Sequence, residues 1–141
     1  MNPRLSLTFL LVSLLFGCAT GTQVDESTIF STLTGTWDTE DPATCESYRT
    51  ISFSKNRKTM IATNPNIGYA SETDGRKTFI YDVLEVRETT IRVALENEPR
   101  LDANGNPVVW IVKLLDENTF CWGRDDWPAS GCTPRRMRCE I

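Results

Sequence analysis

Histidine is absent from all 141 residues. That removes at once the commonest general base and the commonest metal ligand. No C-x-x-C pair occurs, so neither a zinc site nor any other metal centre is expected. A nucleophilic cysteine would lack the imidazole that activates it. The chain also has no Gly-rich phosphate loop, no G-x-S-x-G elbow and no kinase-like set. There is no basic surplus: 15 Lys and Arg stand against 19 Asp and Glu, a net charge of −4. That balance speaks against a phosphate backbone as partner. Asp125 and Asp126 are adjacent on one expected loop, which does not set the separation that paired-carboxylate chemistry needs. The expectation is a non-enzyme with no cofactor, no metal and no nucleic-acid partner. Long apolar runs are missing too. The run from Leu5 to Phe16 is about a dozen residues, where a membrane-spanning helix needs about 20.

What that short run does have is the layout of an export leader. Met1 to Gly17 carries one positive charge, Arg4, then the apolar stretch, and no acidic residue. It ends in Leu15-Phe16-Gly17-Cys18, which resembles the lipobox of bacterial lipoproteins, although Phe16 is bulkier than that family usually has there. The resemblance implies cleavage before Cys18 and a lipid on its sulfur. Two or more acyl chains make a stable anchor, since each buried CH₂ contributes about 0.8 kcal/mol. Ala19 follows the cysteine, which resembles the outer-membrane pattern rather than the inner-membrane one. The implied address is the bacterial cell envelope, lipid-anchored at the outer membrane and facing the periplasm. Residues 1–17 are then the leader and residues 18–26 a small, polar tether. Residues 27–141 form one domain. Loss of Arg4 with the leader takes the net charge from −4 to −5.

Five cysteines occur: Cys18, Cys45, Cys121, Cys132 and Cys139. An odd count in an exported chain calls for an explanation. With Cys18 lipidated, the other four are free to form two disulfides in an oxidising compartment. Spacing alone leaves three pairings open.

Ser27 to Leu33 reads as one or two helical turns, with Ser27 as a cap and Ile29, Phe30 and Leu33 on one face. Beyond it the chain reads as β throughout. Strands are expected at 35–40, 46–54, 58–64, 77–87, 90–98, 107–115, 119–123 and 134–141. The fifth alternates most cleanly, with Ile91, Val93 and Leu95 against Arg92, Ala94 and Glu96. Met137 and Cys139 alternate in the same way with Arg136 and Arg138. Asp102-Ala-Asn-Gly-Asn106 is a hairpin signal. Asp102, Asn104 and Asn106 also have the first spacings of a calcium loop. However, Pro107 stands where that loop needs Gly and Lys113 where it needs Glu, so a turn is the better reading. About eight short strands joined by tight turns point to an all-β domain, a sandwich or an up-and-down antiparallel barrel.

Gly35-Thr36-Trp37 lies where the helical turn meets the first strand. This resembles the G-x-W signature of lipocalins and related calycins. The resemblance implies a small eight-stranded lipocalin-like barrel whose closed end is packed by Trp37. It also implies an arginine late in the last strand lying over that ring, with Arg138 preferred to Arg136. In such a barrel Cys45 and Cys132 would both lie at the open end. That motivates Cys45–Cys132, with Cys121–Cys139 across neighbouring strands. Tyr48, Tyr69 and Trp127 are candidates to ring the entrance, the alternative being a solvated loop with Trp127 folded back as a lid, while Trp110 and Trp122 are expected in the core. Eight strands can enclose one small ligand. The implied function is binding of a small hydrophobic compound or lipid. The alternative is a protein-binding module of the envelope, an inhibitor or assembly partner, with a filled barrel.

Overall fold

The structure, a computed structural model, describes residues 26–39, 41–65 and 77–140. The leader, the tether through residue 25 with Cys18, and Tyr69 lie outside the described residues. The element order is α1 (Glu26–Leu33), β1 (Gly35–Asp38), β2 (Arg49–Phe53), β3 (Thr59–Thr63), β4 (Thr78–Val86), β5 (Thr90–Leu95), β6 (Val109–Asp116), β7 (Thr119–Arg124) and β8 (Arg136–Arg138). Each strand pairs antiparallel with the next. β8 closes the sheet on β1 through Trp37↔Arg138 and Asp38↔Met137. The expected up-and-down barrel with one short helix is the observed architecture. The first and last strands are shorter than their sequence patterns, and β2 starts at Arg49 rather than Glu46.

Helix α1 starts at Glu26 in the described chain, so Ser27 lies inside its first turn and is not the expected cap. Ile29, Phe30 and Leu33 are buried, at 2%, 6% and 0% exposure. They close one end of the barrel. Phe30 meets the Phe53 ring edge-on at 4.9 Å. The helix stops where the Thr34 hydroxyl and amide both donate to the Phe30 carbonyl. Gly35 then swings the chain into β1 at a φ of +147°, a conformation that L side chains rarely adopt. A Cβ on Gly35 would also stand 2.8 Å from Arg138 Nη1. Gly35→Ala is therefore expected to lose about 1–3 kcal/mol in urea denaturation, from backbone strain and displacement of the Arg138 side chain.

Alternation sets the interior. Ile91, Val93 and Leu95 of β5 all point inward, with Met60, Ile51, Val112 and Phe120 from neighbouring strands. Two bulges break the period. In β4 the register shifts between Val83 and Glu85, so Val83 and Val86 both keep inward partners while Leu84 is pushed out, 51% exposed. In β6 the shift between Leu114 and Asp116 does the same to Leu115. An extra residue in one strand restores the inward face at the cost of one outward apolar side chain.

The disulfides are Cys45–Cys139 and Cys121–Cys132, with Cα separations of 5.8 and 5.7 Å. The same four cysteines are used as expected, but the Cys45–Cys132 and Cys121–Cys139 pairing is not formed. The reason is register. Phe120 pairs with Arg136 and Thr119 with Met137. Cys121 therefore lies beside residue 135, four positions from Cys139. At about 3.3 Å per residue that is about 13 Å, against a usual limit of about 7 Å for a disulfide. The described residues of the two connections that carry these cysteines pack largely against the outer wall, with Thr133 at the end of the second also reaching the interior cavity. The 39–48 connection covers Asp38, 1% exposed, whose carboxylate accepts from the Ser47 amide. Glu140 N donates to Pro42 O on the same side, so Cys45 meets Cys139. The 125–135 connection runs over β7. Thr133 N donates to Trp122 O, and Lys113 Nζ reaches the carbonyls of Ala129 and Gly131. That brings Cys132 onto outward-facing Cys121.

Candidate functional site

Among the described residues the barrel is not filled. Beyond the packed layer at the α1 end lies a cavity of about 210 Å³. Its floor is Trp37, Ile51 and Phe120. Its walls are Phe79, Tyr81, Trp110 and Trp122, with Ala62 between. These rings interlock. Tyr81 stacks on Trp122 at 5.5 Å, and Trp122 meets Trp110 and Phe120 edge-on at 6.1 and 6.2 Å. Offset and edge-on contacts of this kind fix ring planes. Trp110 and Trp122 are thus half-buried cavity walls packed against the core, not members of its buried centre.

The polar lining comes from Arg49, Arg100, Arg136, Thr50, Thr63, Asn64 and Thr133. Alternation aims the first and third of these inward. Arg49 is paired with Trp37, and Arg136 with Phe120, both of which face the interior. Among the described residues no Asp or Glu lines the cavity. Arg100 lies 4.6 Å from the Trp110 ring centroid, a cation–π distance. Its guanidinium is held by Glu98, whose carboxylate also accepts from Trp110 Nε1 at 2.7 Å.

The Glu98 side chain is 2% exposed. Burial by itself would raise its carboxyl. Hydrogen bonds from the Arg100 side chain, Trp110 and the Arg100 amide outweigh that and hold it below the usual value. A carboxyl depressed in the folded state contributes stability above its unfolded value, about 4.3. That contribution is lost as pH falls through the lower folded value. Glu98→Gln should therefore flatten the acid side of the stability profile below about pH 5. Thermal unfolding midpoints across pH test this, and an acid limb as steep as the wild type's would contradict it.

The residues expected from sequence fall into two groups. Gly35, Trp37 and Arg138 come together at the closed end. Arg138 lies 4.3 Å from the Trp37 ring centroid, and its guanidinium donates to the carbonyls of Thr32, Thr34 and Glu117. Tyr48 is 37% exposed on the 39–48 connection and does not line the cavity. Trp127 is outside it too. Its ring meets Trp110 at 6.3 Å, with the Arg124 guanidinium near both rings. These two do not form the expected entrance, because their loops turn outward over the wall.

A second depression lies on the outer wall, among Glu85, Arg87, Arg92 and Asp125. Its charges already satisfy one another. Arg92 bridges Glu85 and Asp125, and Arg87 joins Glu85 at 2.8 Å. The interior cavity is therefore the candidate site. Comparison with protein-family models, with curated proteins and with solved structures finds no match for this chain.

Proposed function

We propose that this chain is a lipid-anchored protein of the bacterial envelope that holds one small molecule with an apolar body inside its barrel, without transforming it. The observation that carries the reading is the aromatic-walled cavity. A barrel serving only as a docking block would fill that space, as small barrels commonly do. Concave sites with mostly apolar walls and a few convergent polar groups are the usual form of a small-molecule site. The likeness of Gly35-Thr36-Trp37 to the lipocalin signature supports the same reading. The anchor is supported by cysteine parity. Cys45, Cys121, Cys132 and Cys139 pair among themselves, which leaves Cys18 of the lipobox-like segment for the lipid.

Native mass spectrometry tests the binding. The domain, exported without its anchor, is incubated with an extract of envelope small molecules. An added mass is expected on the wild type and not on Ala62→Phe, whose ring would occupy the cavity. Bare protein in both cases would contradict the proposal. The anchor is tested separately by intact mass of the chain from its host envelope, where loss of residues 1–17 and a gain of acyl mass on Cys18 are expected. An unmodified chain would refute that part.

A further inference from the structure

The chain is acidic overall, at −4, yet the described lining of its cavity is cationic: three arginines and, among the described residues, no carboxylate. Overall composition does not account for that reversal. Resting on the binding role proposed above, we propose that the ligand is a compact aromatic anion, with its acidic group met by Arg49 and Arg136 and its ring held among the aromatic walls.

Arg49 carries the argument for charge. It is half-buried and inward-facing, and it has no ion-pair partner among the described residues. The hydrogen bond its guanidinium makes there is a long one, Nη1 to the Thr39 hydroxyl at 3.4 Å. A guanidinium held partly away from water without a counter-ion is costly, and a carboxylate, which matches its planar donor fork, relieves that cost. Arg136 enters from β8 as Arg49 enters from β2, the two strands that flank β1. Two guanidinium groups thus approach the same side of the cavity. Arg100, unlike Arg49, is already committed to Glu98.

Asn64 adds an independent sign. Its side chain lines the cavity, the residue is only 9% exposed, and Oδ1 has no hydrogen-bond partner among the described residues. Buried polar atoms are rarely left so. An amide there offers both a donor and an acceptor to a polar ligand group.

The walls carry the argument for an aromatic body. Six lining residues are aromatic, against two aliphatic ones, Ile51 and Ala62. Fixed ring planes suit a flat ligand that can stack or meet them edge-on. Size agrees. A dry cavity of about 150 Å³ takes benzene, and about 210 Å³ suits a somewhat larger ring system bearing a carboxylate, not a long acyl chain.

Calorimetry with 2-naphthoate and its uncharged amide, 2-naphthamide, tests this on the disulfide-bonded domain at pH 7. We expect naphthoate to bind at least tenfold more tightly than the amide, with the gap narrowing as salt is added. Arg49→Gln with Arg136→Gln should erase the gap. The corresponding Lys pair should recover part of it. Equal or tighter binding of the amide by the wild type overturns the inference while leaving the binding role standing. So does a gap that survives the double Gln substitution. Binding of neither compound, together with bare protein in the mass experiment, removes both. Should the double variant fail to fold, the two-ligand comparison on the wild type decides alone.

Discussion

Replacing Cys45 and Cys139 together by alanine is expected to cost about 4.7 kcal/mol, while replacing Cys121 and Cys132 costs about 2.8 kcal/mol. The difference comes from the unfolded chain. The first bridge joins residues 94 apart and the second residues 11 apart. A cross-link removes more unfolded-state entropy the longer the loop it closes. A domain of this size has a net stability of about 5–15 kcal/mol, so loss of the long bridge leaves little margin. Local structure adds to the contrast. Cys45 and Cys139 are 5% and 7% exposed and hold the 39–48 connection over buried Asp38. Once freed, that connection no longer keeps Ser47 N on the Asp38 carboxylate. Urea denaturation of the two alanine pairs, followed by tryptophan fluorescence, gives the comparison. Equal costs, or a larger cost for the short bridge, would contradict it.

Trp37→Ala should be the most damaging single substitution, at about 4–6 kcal/mol. Trp37 is 0% exposed at the junction of helix, β1 and β8. Its removal leaves a cavity, for which aromatic-to-alanine changes cost about 3–5 kcal/mol. Its Nε1 donates to the Leu33 carbonyl at 3.0 Å, and Leu33 is fully buried. That acceptor then loses its donor. The Phe120 ring loses an edge contact at 4.8 Å and Arg138 loses the face it covers. Trp37→Phe keeps a ring and gives up the hydrogen bond, so it should cost about 1–2 kcal/mol. The same denaturation assay separates the two. A Trp37→Ala cost below about 2 kcal/mol would mean that the closed end is held by something other than this ring.

These two predictions depend on different amounts of sequence information. The closed end was legible. Gly35, Trp37 and Arg138 were named from the likeness of Gly35-Thr36-Trp37 to the lipocalin signature, and Arg138 lies opposite Trp37. The number and rough positions of the strands were legible from short apolar alternations separated by turns, which by themselves left a sandwich and a barrel both open. The disulfide pairing was not. It depends on the path of two long connections, and nothing in their composition tells that they fold down the outer wall. The bulges at Leu84 and Leu115 were hidden for a related reason: one extra residue changes the face without leaving a compositional mark.

The cavity lining lies between these cases. Arg49 shares parity with Ile51 and Phe53, and Arg136 shares it with Arg138. Alternation alone therefore aims both guanidinium groups inward once Ile51 and Arg138 are placed. The aromatic entrance read from Tyr48 and Trp127 failed because it assumed loops that stand above the mouth. What no pattern revealed is that the interior has room. Whether Trp110 and Trp122 fill a core or wall a cavity depends on ring planes, which are set by Tyr81 across the barrel and by Phe120 two residues along β7.

The four indole N–H resonances give the most direct test that this space is a binding site. The ¹⁵N-labelled domain is titrated with 2-naphthoate or 2-naphthamide, whichever binds more tightly, and the resonances are assigned by single Trp→Phe substitutions. The expected result is saturable shifts at Trp110 and Trp122, with Trp127 unmoved or moving only through its contact with Trp110. Shifts confined to Trp127, or none at saturating ligand, would contradict it.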